Sequence, residues 1–255
     1  MKGTFLRRVF IQAWDWVCIH PLSPASRPAA GGVPPQYALG FAPWLGALAA
    51  VAALLAGKIL AALLPMRAAA LLFAAAVLFF SEWRTAGRGL ALLASTLDGI
   101  FAGKSPAAAR AERENRFRAL AGMVPLLIVL LVGAGKFAAL VLAFRDGCPW
   151  FAGVALTAAF TIESYLHGER VSCAAGGAGA THTGTVILLT GGFLLLWSFA
   201  FRPLPTLAGA ALAAAGSRQI VLAARRGGGR VEAADVTLAG YFGELLMLLA
   251  ALVFL

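Results

Sequence analysis

Apolar residues run along this chain in long blocks that short polar segments separate. The blocks cover residues 39–64, 68–80, 119–144, 150–166, 185–201, 204–224 and 236–255. Most of them approach the ~20 residues that a helix needs to cross a bilayer. The pattern predicts an all-α, polytopic membrane helix bundle with about seven spans. It also predicts that residues 1–255 form a single domain.

The second block, residues 68–80, is short for a membrane span. Three structures are compatible with this length: a tilted helix, a locally thinner bilayer, or a helix that continues through Glu82, Trp83 and Arg84. The sequence leaves the choice among them open.

The amino-terminal segment has the pattern of a helix that lies on a membrane surface. Arg7 and Arg8 precede a stretch without a long apolar region or a small-residue cleavage site, so a cleavable signal peptide is not expected. Apolar residues recur at helical spacing, at Phe5, Val9, Phe10, Ala13, Trp14 and Val17. We expect an interfacial helix, followed over residues 21–35 by an extended proline-rich linker.

The amino-acid composition indicates a membrane protein. Hydrophobic residues make up 61% of the chain and charged residues 13%, and the mean hydropathy is +0.85. Soluble domains carry roughly 25% charged residues, so a soluble domain is excluded. The lipid bilayer is therefore the first expected partner.

The net charge of +10 is distributed unevenly between the two sides of the predicted bundle. With the amino terminus inside, fifteen of the 21 Lys and Arg residues lie on the inner side and three on the outer side. Inner segments of membrane proteins are enriched in Lys and Arg. We expect a multi-pass protein of the cytoplasmic (inner) membrane with a cytoplasmic N-terminus. No nucleic acid is expected as a partner, because no binding motif accompanies the charge.

Residues 82–118 are predicted to form a cytoplasmic loop that carries the candidate site. This segment holds seven basic residues and, at Asp98, a carboxylate in a turn of small residues. In so apolar a chain, a long polar segment requires water or a polar ligand. Its arginines suit either the phosphate groups of a ligand or lipid headgroups. They are Arg110, Arg113, Arg116 and Arg118.

Three charged residues, Lys136, Glu163 and Glu244, fall inside predicted spans. A charge at the bilayer centre costs roughly 2.5–3.5 kcal/mol, so we expect these side chains to face the interior of the bundle. One interpretation is a Lys136–Glu163 or Lys136–Glu244 pair that only joins helices. The other is a role in binding a substrate or an ion.

Several short motifs occur in an order that resembles one family of membrane enzymes. They are residues 20–24 (HPLSP), 41–46 (FAPWLG), 89–99 (GLALLASTLDG), 136–140 (KFAAL) and 243–246 (GELL). Together they resemble the cobalamin (5'-phosphate) synthases, also called adenosylcobinamide-GDP ribazoletransferases. The resemblance runs almost end to end and is strongest at residues 89–99, where the family has H-L-D-G-L-A-D-T-x-D-G.

This resemblance implies a late step of cobalamin synthesis. Enzymes of the family join adenosylcobinamide-GDP to α-ribazole or its phosphate, release GMP, and depend on magnesium. A metal neutralises charge on the phosphate oxygens in such a transfer. By resemblance, Asp98 is the magnesium ligand, and the catalytic positions are Asp98, Ser95 and Asn115.

We also expect a set of residues that bind the corrinoid and nucleotide substrates, which the resemblance implies. They are Gly99, Lys104, Arg116, Arg118, Lys136, Glu163 and Glu244. A homo-oligomer and a complex with other membrane proteins of the cobalamin pathway are both compatible with the family.

The chain departs from the family pattern at several acidic positions. The first two motif aspartates are replaced by Ala91 and Ser95, and only the third is retained, as Asp98. In the family's later M-x-D-S-R-x-G motif, Asn115 replaces the aspartate and Phe117 replaces the arginine. The sequence therefore leaves three functions open: a divergent transferase, a catalytically silent paralogue that acts as scaffold or regulator, and a membrane transporter.

Overall fold

The computed structural model describes residues 2–18, 34–105, 108–109, 123–174, 180–226 and 231–255. Throughout these ranges the regular secondary structure is α-helical, and none of them contains a strand. A helix satisfies its backbone hydrogen bonds internally, as the interior of a bilayer requires. The predicted all-α class is therefore confirmed.

The first helix, α1 (Lys2–Val17), lies against the bundle along one face. Val9, Ala13 and Val17 are buried at a spacing of four residues, which places them on the same side of the helix. Ala13 and Val17 belong to one apolar cluster with Leu156 and Phe160. The amino-terminal helix is thus confirmed, and its location at the membrane interface stays a prediction. Residues 21–33 of the predicted linker lie outside the described residues, and Pro35, its last residue, begins the next helix.

Helix α2 (Pro35–Leu63) approaches a later helix, which we label α6 (Phe151–Ala174), very closely. A Cβ atom at Gly46 or at Gly153 would overlap the backbone of the facing helix. Small residues allow membrane helices to come this near to each other. Residues 151–161 are all buried, so α6 is a central element of the bundle.

Helix α3 (Met66–Thr85) contains the short second apolar block and continues through Glu82 and Arg84. Of the three structures left open by the sequence, the chain therefore adopts the longer helix. The helix ends at Ala86 (φ 48°) and Gly87 (φ 70°), both in the left-handed region. Gly87 donates a backbone hydrogen bond of 2.8 Å to the carbonyl of Glu82. Glycine adopts this conformation at little steric cost, which stops the helix here.

A further helix, α4 (Arg88–Phe101), follows this turn directly. The predicted turn at Asp98 is wrong, because Asp98 lies in the last turn of α4. The reason is a stripe of leucines, including Leu93 and Leu97, which packs against the last helix of the chain. This apolar stripe outweighs the small residues that follow Asp98. The cytoplasmic location of the segment stays a prediction.

Four more helices complete the described part of the bundle. With α6 already placed, they are α5 (Met123–Arg145), α7 (Ala180–Phe201), α8 (Pro203–Arg226) and α9 (Ala233–Phe254). Thirteen of the 22 residues of α9 are buried, so the last helix is enclosed by its neighbours.

Five of the described helices are long and apolar enough to cross a membrane. They cover Tyr37–Leu63, Met66–Thr85, Pro125–Arg145, Pro203–Arg226 and Ala233–Phe254. Large apolar side chains such as Phe79, Leu131 and Val253 are exposed on the outside of the bundle. In a bilayer, acyl chains cover such residues. The chain is therefore a multi-pass helical membrane protein whose outer surface contacts lipid.

Candidate functional site

Five charged side chains from four helices meet inside the bundle. We call this set the charge network; its members are Glu82 and Arg84 on α3, Lys136 on α5, Glu163 on α6 and Glu244 on α9. Four of the five are buried, and the side chain of Glu82 is 23% exposed. The expectation that Lys136, Glu163 and Glu244 face the bundle interior is confirmed.

Lys136 forms one half of the charge network. Its Nζ lies 2.9 Å from Oε1 of Glu244 and 3.2 Å from Oε1 of Glu82. It also donates a hydrogen bond of 2.8 Å to the Ser81 hydroxyl. The predicted Lys136–Glu244 pair is therefore confirmed. The alternative pair with Glu163 is wrong, because Glu163 binds a different cation.

That cation is Arg84, which forms the other half of the network. Its Nη1 donates to both carboxylate oxygens of Glu163 and to the carbonyl of Val17, each at 2.9 Å. Its Nη2 lies 3.6 Å from Oε2 of Glu244. The sequence counted Arg84 in the predicted cytoplasmic loop, whereas in the structure it belongs to α3 and is 1% exposed. The carboxylates of α6 and α9 compensate for its loss of water.

Two hydroxyl groups extend the network by hydrogen bonds. Ser81 donates to Oε1 of Glu244 at 2.5 Å, and Tyr241 donates to Oε1 of Glu82 at 2.8 Å. The ring of Tyr241 also lies 4.3 Å from Nζ of Lys136, within the range of a cation–π contact. These contacts join α3, α5 and α9 at one level of the bundle.

Glycines make room for the network. A Cβ atom at Gly240 would lie 2.6 Å from Cδ of Glu163, and one at Gly89 would lie 2.5 Å from the ring of Tyr241. Any side chain at these positions would push a network residue out of place.

The charge network borders a polar cavity of about 180 Å³, which we call the inner cavity. It lies where α1, α6, α9 and the turn between α3 and α4 meet. Its polar lining includes Asp15, Cys18, Arg84, Arg88, Glu163 and His167. Burial raises the pKa of the Cys18 thiol to about 12, so this group is uncharged at neutral pH.

A second cavity of about 450 Å³, the α4 cavity, lies between α4, α8 and α9. Its walls are mostly apolar and include Leu93, Ile220 and Phe242. Its polar residues are Thr96, Ser105, Gln219, Arg226 and Asp235. The cavity thus combines apolar walls with a few polar groups, as small-molecule sites do.

The predicted site residues fall into two groups that the structure does not bring together. Lys136, Glu163 and Glu244 belong to the charge network, near the start of α4. Asp98 and Gly99 lie near its other end, and ten residues of helix from Arg88 to Asp98 span roughly 15 Å. A third part of the predicted site, Asn115, Arg116 and Arg118, lies outside the described residues.

The residues around Asp98 are only partly available for binding. Ser95 is 1% exposed, and its hydroxyl donates to the carbonyl of Leu92 at 3.0 Å. Gly99 is buried, and a Cβ atom there would lie 2.7 Å from Cβ of Ala109. Asp98 and Lys104 are half-buried. Of the predicted site residues in α4 and in the segment directly after it, Asp98 and Lys104 are therefore the ones that a ligand can reach.

Magnesium was expected at Asp98. Within the described ranges, no group of three or more His, Cys, Asp or Glu side chains is arranged to hold a metal ion. Magnesium in proteins is typically held by one or two carboxylates together with substrate phosphates. Magnesium at Asp98 therefore stays a prediction, for an ion that one carboxylate and the phosphates of a ligand would hold together.

Sequence reasoning missed four members of the extended network: Ser81, Glu82, Arg84 and Tyr241. One signal was present in the sequence. No helix-stopping residue separates the second apolar block from Arg84, and the first strong stop is the Gly87 position. No protein-family model, curated protein or solved structure matches this chain.

Proposed function

We propose that this chain is a divergent adenosylcobinamide-GDP ribazoletransferase-like membrane protein of late cobalamin synthesis. In this role it binds corrinoid and nucleotide compounds at the cytoplasmic face of the inner membrane. The reaction that the resemblance implies joins adenosylcobinamide-GDP to α-ribazole or its phosphate and releases GMP.

One observation carries this proposal: the motif segment with the strongest family resemblance and the start of α9, far apart in sequence, line the same cavity. Thr96 and Leu97 come from the motif at residues 89–99, and Asp235 lies in the first turn of α9. All three line the α4 cavity. Its volume of about 450 Å³ is that of a small-molecule site. The convergence supports a ligand site at this place.

The lining of the α4 cavity suits a nucleoside phosphate. Leu93, Ile220 and Phe242 offer apolar surface for a ring system. Arg226 offers the paired donors that bind phosphate oxygens. Magnesium enters this proposal only with the phosphates of such a ligand.

A second candidate, the catalytically silent paralogue, is favoured by the state of the motif residues. Ser95 is committed to a backbone carbonyl, and Ala91 has no carboxylate. Lys136, Glu163 and Glu244 are bound to one another or to Arg84. A protein that binds the ligands of the pathway without rapid transfer would serve as scaffold or regulator. We do not propose transport, because the network joins neighbouring helices sideways and Ser81, Glu82 and Arg84 lie within a single helical turn of α3.

The proposal includes seven spans and a cytoplasmic N-terminus. Seven described helices, α2, α3 and α5 to α9, contain at least 20 residues each. Two of them, α6 and α7, are not among the five apolar spans. Glu163 on α6 is paired inside the bundle, which supports counting α6 as a span.

Cysteine labelling tests this topology. In a variant whose native cysteines are replaced by serine, we expect Ala102→Cys to react only from the cytoplasmic side and Asp146→Cys only from the outside. Both positions are exposed, so access is decided by the side of the membrane. Labelling of both from one side would refute the seven-span arrangement.

Ligand binding tests the α4 cavity. We expect Arg226→Gln to weaken the binding of α-ribazole phosphate to the purified protein by roughly tenfold or more, because a hydrogen bond to a charged group contributes about 1.5–3 kcal/mol. The matched control is Arg218→Gln, an exposed arginine on the same helix that does not line the cavity. Equal affinities of wild type and Arg226→Gln would remove the ligand from this cavity.

Genetic complementation distinguishes the divergent transferase from the catalytically silent paralogue. Each preorganised electrostatic group is worth about 2.7–4 kcal/mol of transition-state stabilisation, so transfer should be slower than in intact family members by several orders of magnitude. We expect the unmodified chain to rescue a synthase-deficient strain fed cobinamide barely or not at all. Restoration of the motif, by Ala91→Asp, Ser95→Asp, Asn115→Asp and Phe117→Arg, should increase rescue. Robust rescue by the unmodified chain would reject the silent paralogue.

A further inference from the structure

The charge network contains more negative than positive charge. Three carboxylates, those of Glu82, Glu163 and Glu244, face the two cations Arg84 and Lys136. With every group ionised, the network therefore has one uncompensated negative charge. A buried charge without a partner is strongly unfavourable, and in proteins such a group binds a proton instead.

Two of the carboxylate oxygens also lack a hydrogen-bond partner. They are Oε2 of Glu82 and Oε2 of Glu244, and both atoms are buried. Glu244 as a whole is 2% exposed. The only described charge partner of Glu244 Oε2 is Arg84 Nη2, at 3.6 Å, which is beyond hydrogen-bond distance. Each ionised oxygen ordinarily accepts hydrogen bonds, so desolvation without them adds to the cost of the extra charge.

Among the described residues, the other ionisable groups around the network do not supply the missing positive charge. Asp15 and Arg88 line the inner cavity with opposite charges. The Cys18 thiol is uncharged, and the Tyr241 hydroxyl keeps its proton because it donates to Glu82. His167 lines the cavity from α6, and its Nδ1 has no hydrogen-bond partner. It forms no ion pair with a described carboxylate, so it does not act as the third cation.

We infer that the charge network is a proton-binding site, whose three carboxylates share one proton at neutral pH. The proton comes from water through the inner cavity, which touches Arg84 and Glu163. It forms an O–H bond with one carboxylate oxygen and converts that carboxylate into a neutral carboxylic acid. No other bond forms or breaks, and the network becomes electrically neutral.

A proton fits this place better than another ion. The amine of Lys136 already lies between Glu82 and Glu244, at 3.2 and 2.9 Å, and would repel a metal cation. Among the described residues no group of metal ligands is present. An anion would increase the negative excess. The inference is independent of the proposed function, because neither the α4 cavity nor a cobalamin ligand takes part in it.

Infrared spectroscopy of the purified protein in lipid at pH 7 tests this site. We expect the C=O stretching band of about one protonated carboxyl group per protein, shifted in heavy water, since the buried excess charge has to be neutralised. Carbon-13 labelling of glutamate should shift the band, and labelling of aspartate should leave it in place. The band should be equally strong in sodium and in choline buffer.

Glutamine substitutions test whether the carboxyl C=O band comes from the charge network. Glu82→Gln, Glu163→Gln and Glu244→Gln each leave two carboxylates with two cations, so each should abolish it. Glu169→Gln removes a half-exposed carboxylate from the same helix as Glu163, and His167→Gln removes the nearby imidazole; both should retain it.

Three results would overturn the inference. They are the absence of a protonated glutamate band in the wild-type protein, its survival in all three network variants, and its loss in sodium buffer, which would assign the charge to a sodium ion. The wild-type spectrum with labelled glutamate decides the first and third outcomes even if a variant fails to fold.

Discussion

Replacement of Lys136 by methionine is expected to reduce the free energy of unfolding by about 3–5 kcal/mol, which is the usual cost of removing one partner from a buried ion pair. Lys136 is fully buried and contacts Glu82, Glu244 and Ser81. Without its charge, the carboxylates of α3 and α9 have only Arg84 as a cation. The loss is measured by equilibrium unfolding of the purified protein in detergent micelles.

The matched control is Lys58→Met. Lys58 lies on α2, also within an apolar helix, but its side chain is exposed and in no ion pair among the described residues. Its replacement should change the free energy of unfolding by less than about 0.5 kcal/mol. The double variant Lys136→Met, Glu244→Gln should recover part of the lost free energy of unfolding, because it removes both partners of the ion pair and leaves no unpaired charge at residue 244. A cost below about 1 kcal/mol for Lys136→Met would show that the network does not stabilise the bundle.

Gly240→Ala is expected to reduce the free energy of unfolding by about 1–3 kcal/mol, the usual cost of inserting a methyl group into a closely packed site. The new Cβ would lie 2.6 Å from Cδ of Glu163. Relief of this overlap requires Glu163 to move away from Arg84, so the change acts on packing and on an ion pair at once. The measurement is equilibrium unfolding under the same conditions as for Lys136→Met.

Gly133→Ala provides the comparison for this substitution. Gly133 lies within α5, and a Cβ atom added there would meet no other atom within 4 Å. Alanine favours the helix over glycine by about 0.5–1 kcal/mol, so this variant should be at least as stable as the wild type. Equal stability of Gly240→Ala and Gly133→Ala would mean that α6 and α9 are farther apart at Glu163 than the structure places them.

The hydrophobic pattern was sufficient to predict the helices but not their exact bounds. Each apolar block corresponds to one described helix, because the length and composition of a block determine whether it can cross a bilayer. Asp98 shows where local signals misled the prediction. Gly99 and Gly103 indicated a turn, whereas the leucines of α4 gain more by packing on α9 than the small residues cost the helix.

The interior location of Lys136, Glu163 and Glu244 was predictable from the free-energy cost of exposing a charge to lipid. The partners of these residues were not predictable. Lys136 binds Ser81, 55 residues earlier, and Glu163 binds Arg84, 79 residues earlier. Such pairs depend on how the helices are arranged, and one sequence does not contain that information. Arg84 was counted with the loop because it stands in the same basic run as the arginines of the predicted cytoplasmic segment.

The sequence separations within the network have a consequence for how the protein is made. Arg84 leaves the ribosome 79 residues before Glu163, and Ser81 leaves it 163 residues before Glu244. At synthesis rates of about 5–20 residues per second, these intervals are roughly 4–16 s and 8–33 s. During the first interval α3 carries an arginine whose carboxylate partners have not yet been synthesised. The buried charges of α3 therefore reach their full set of described partners only when α9 enters the bundle.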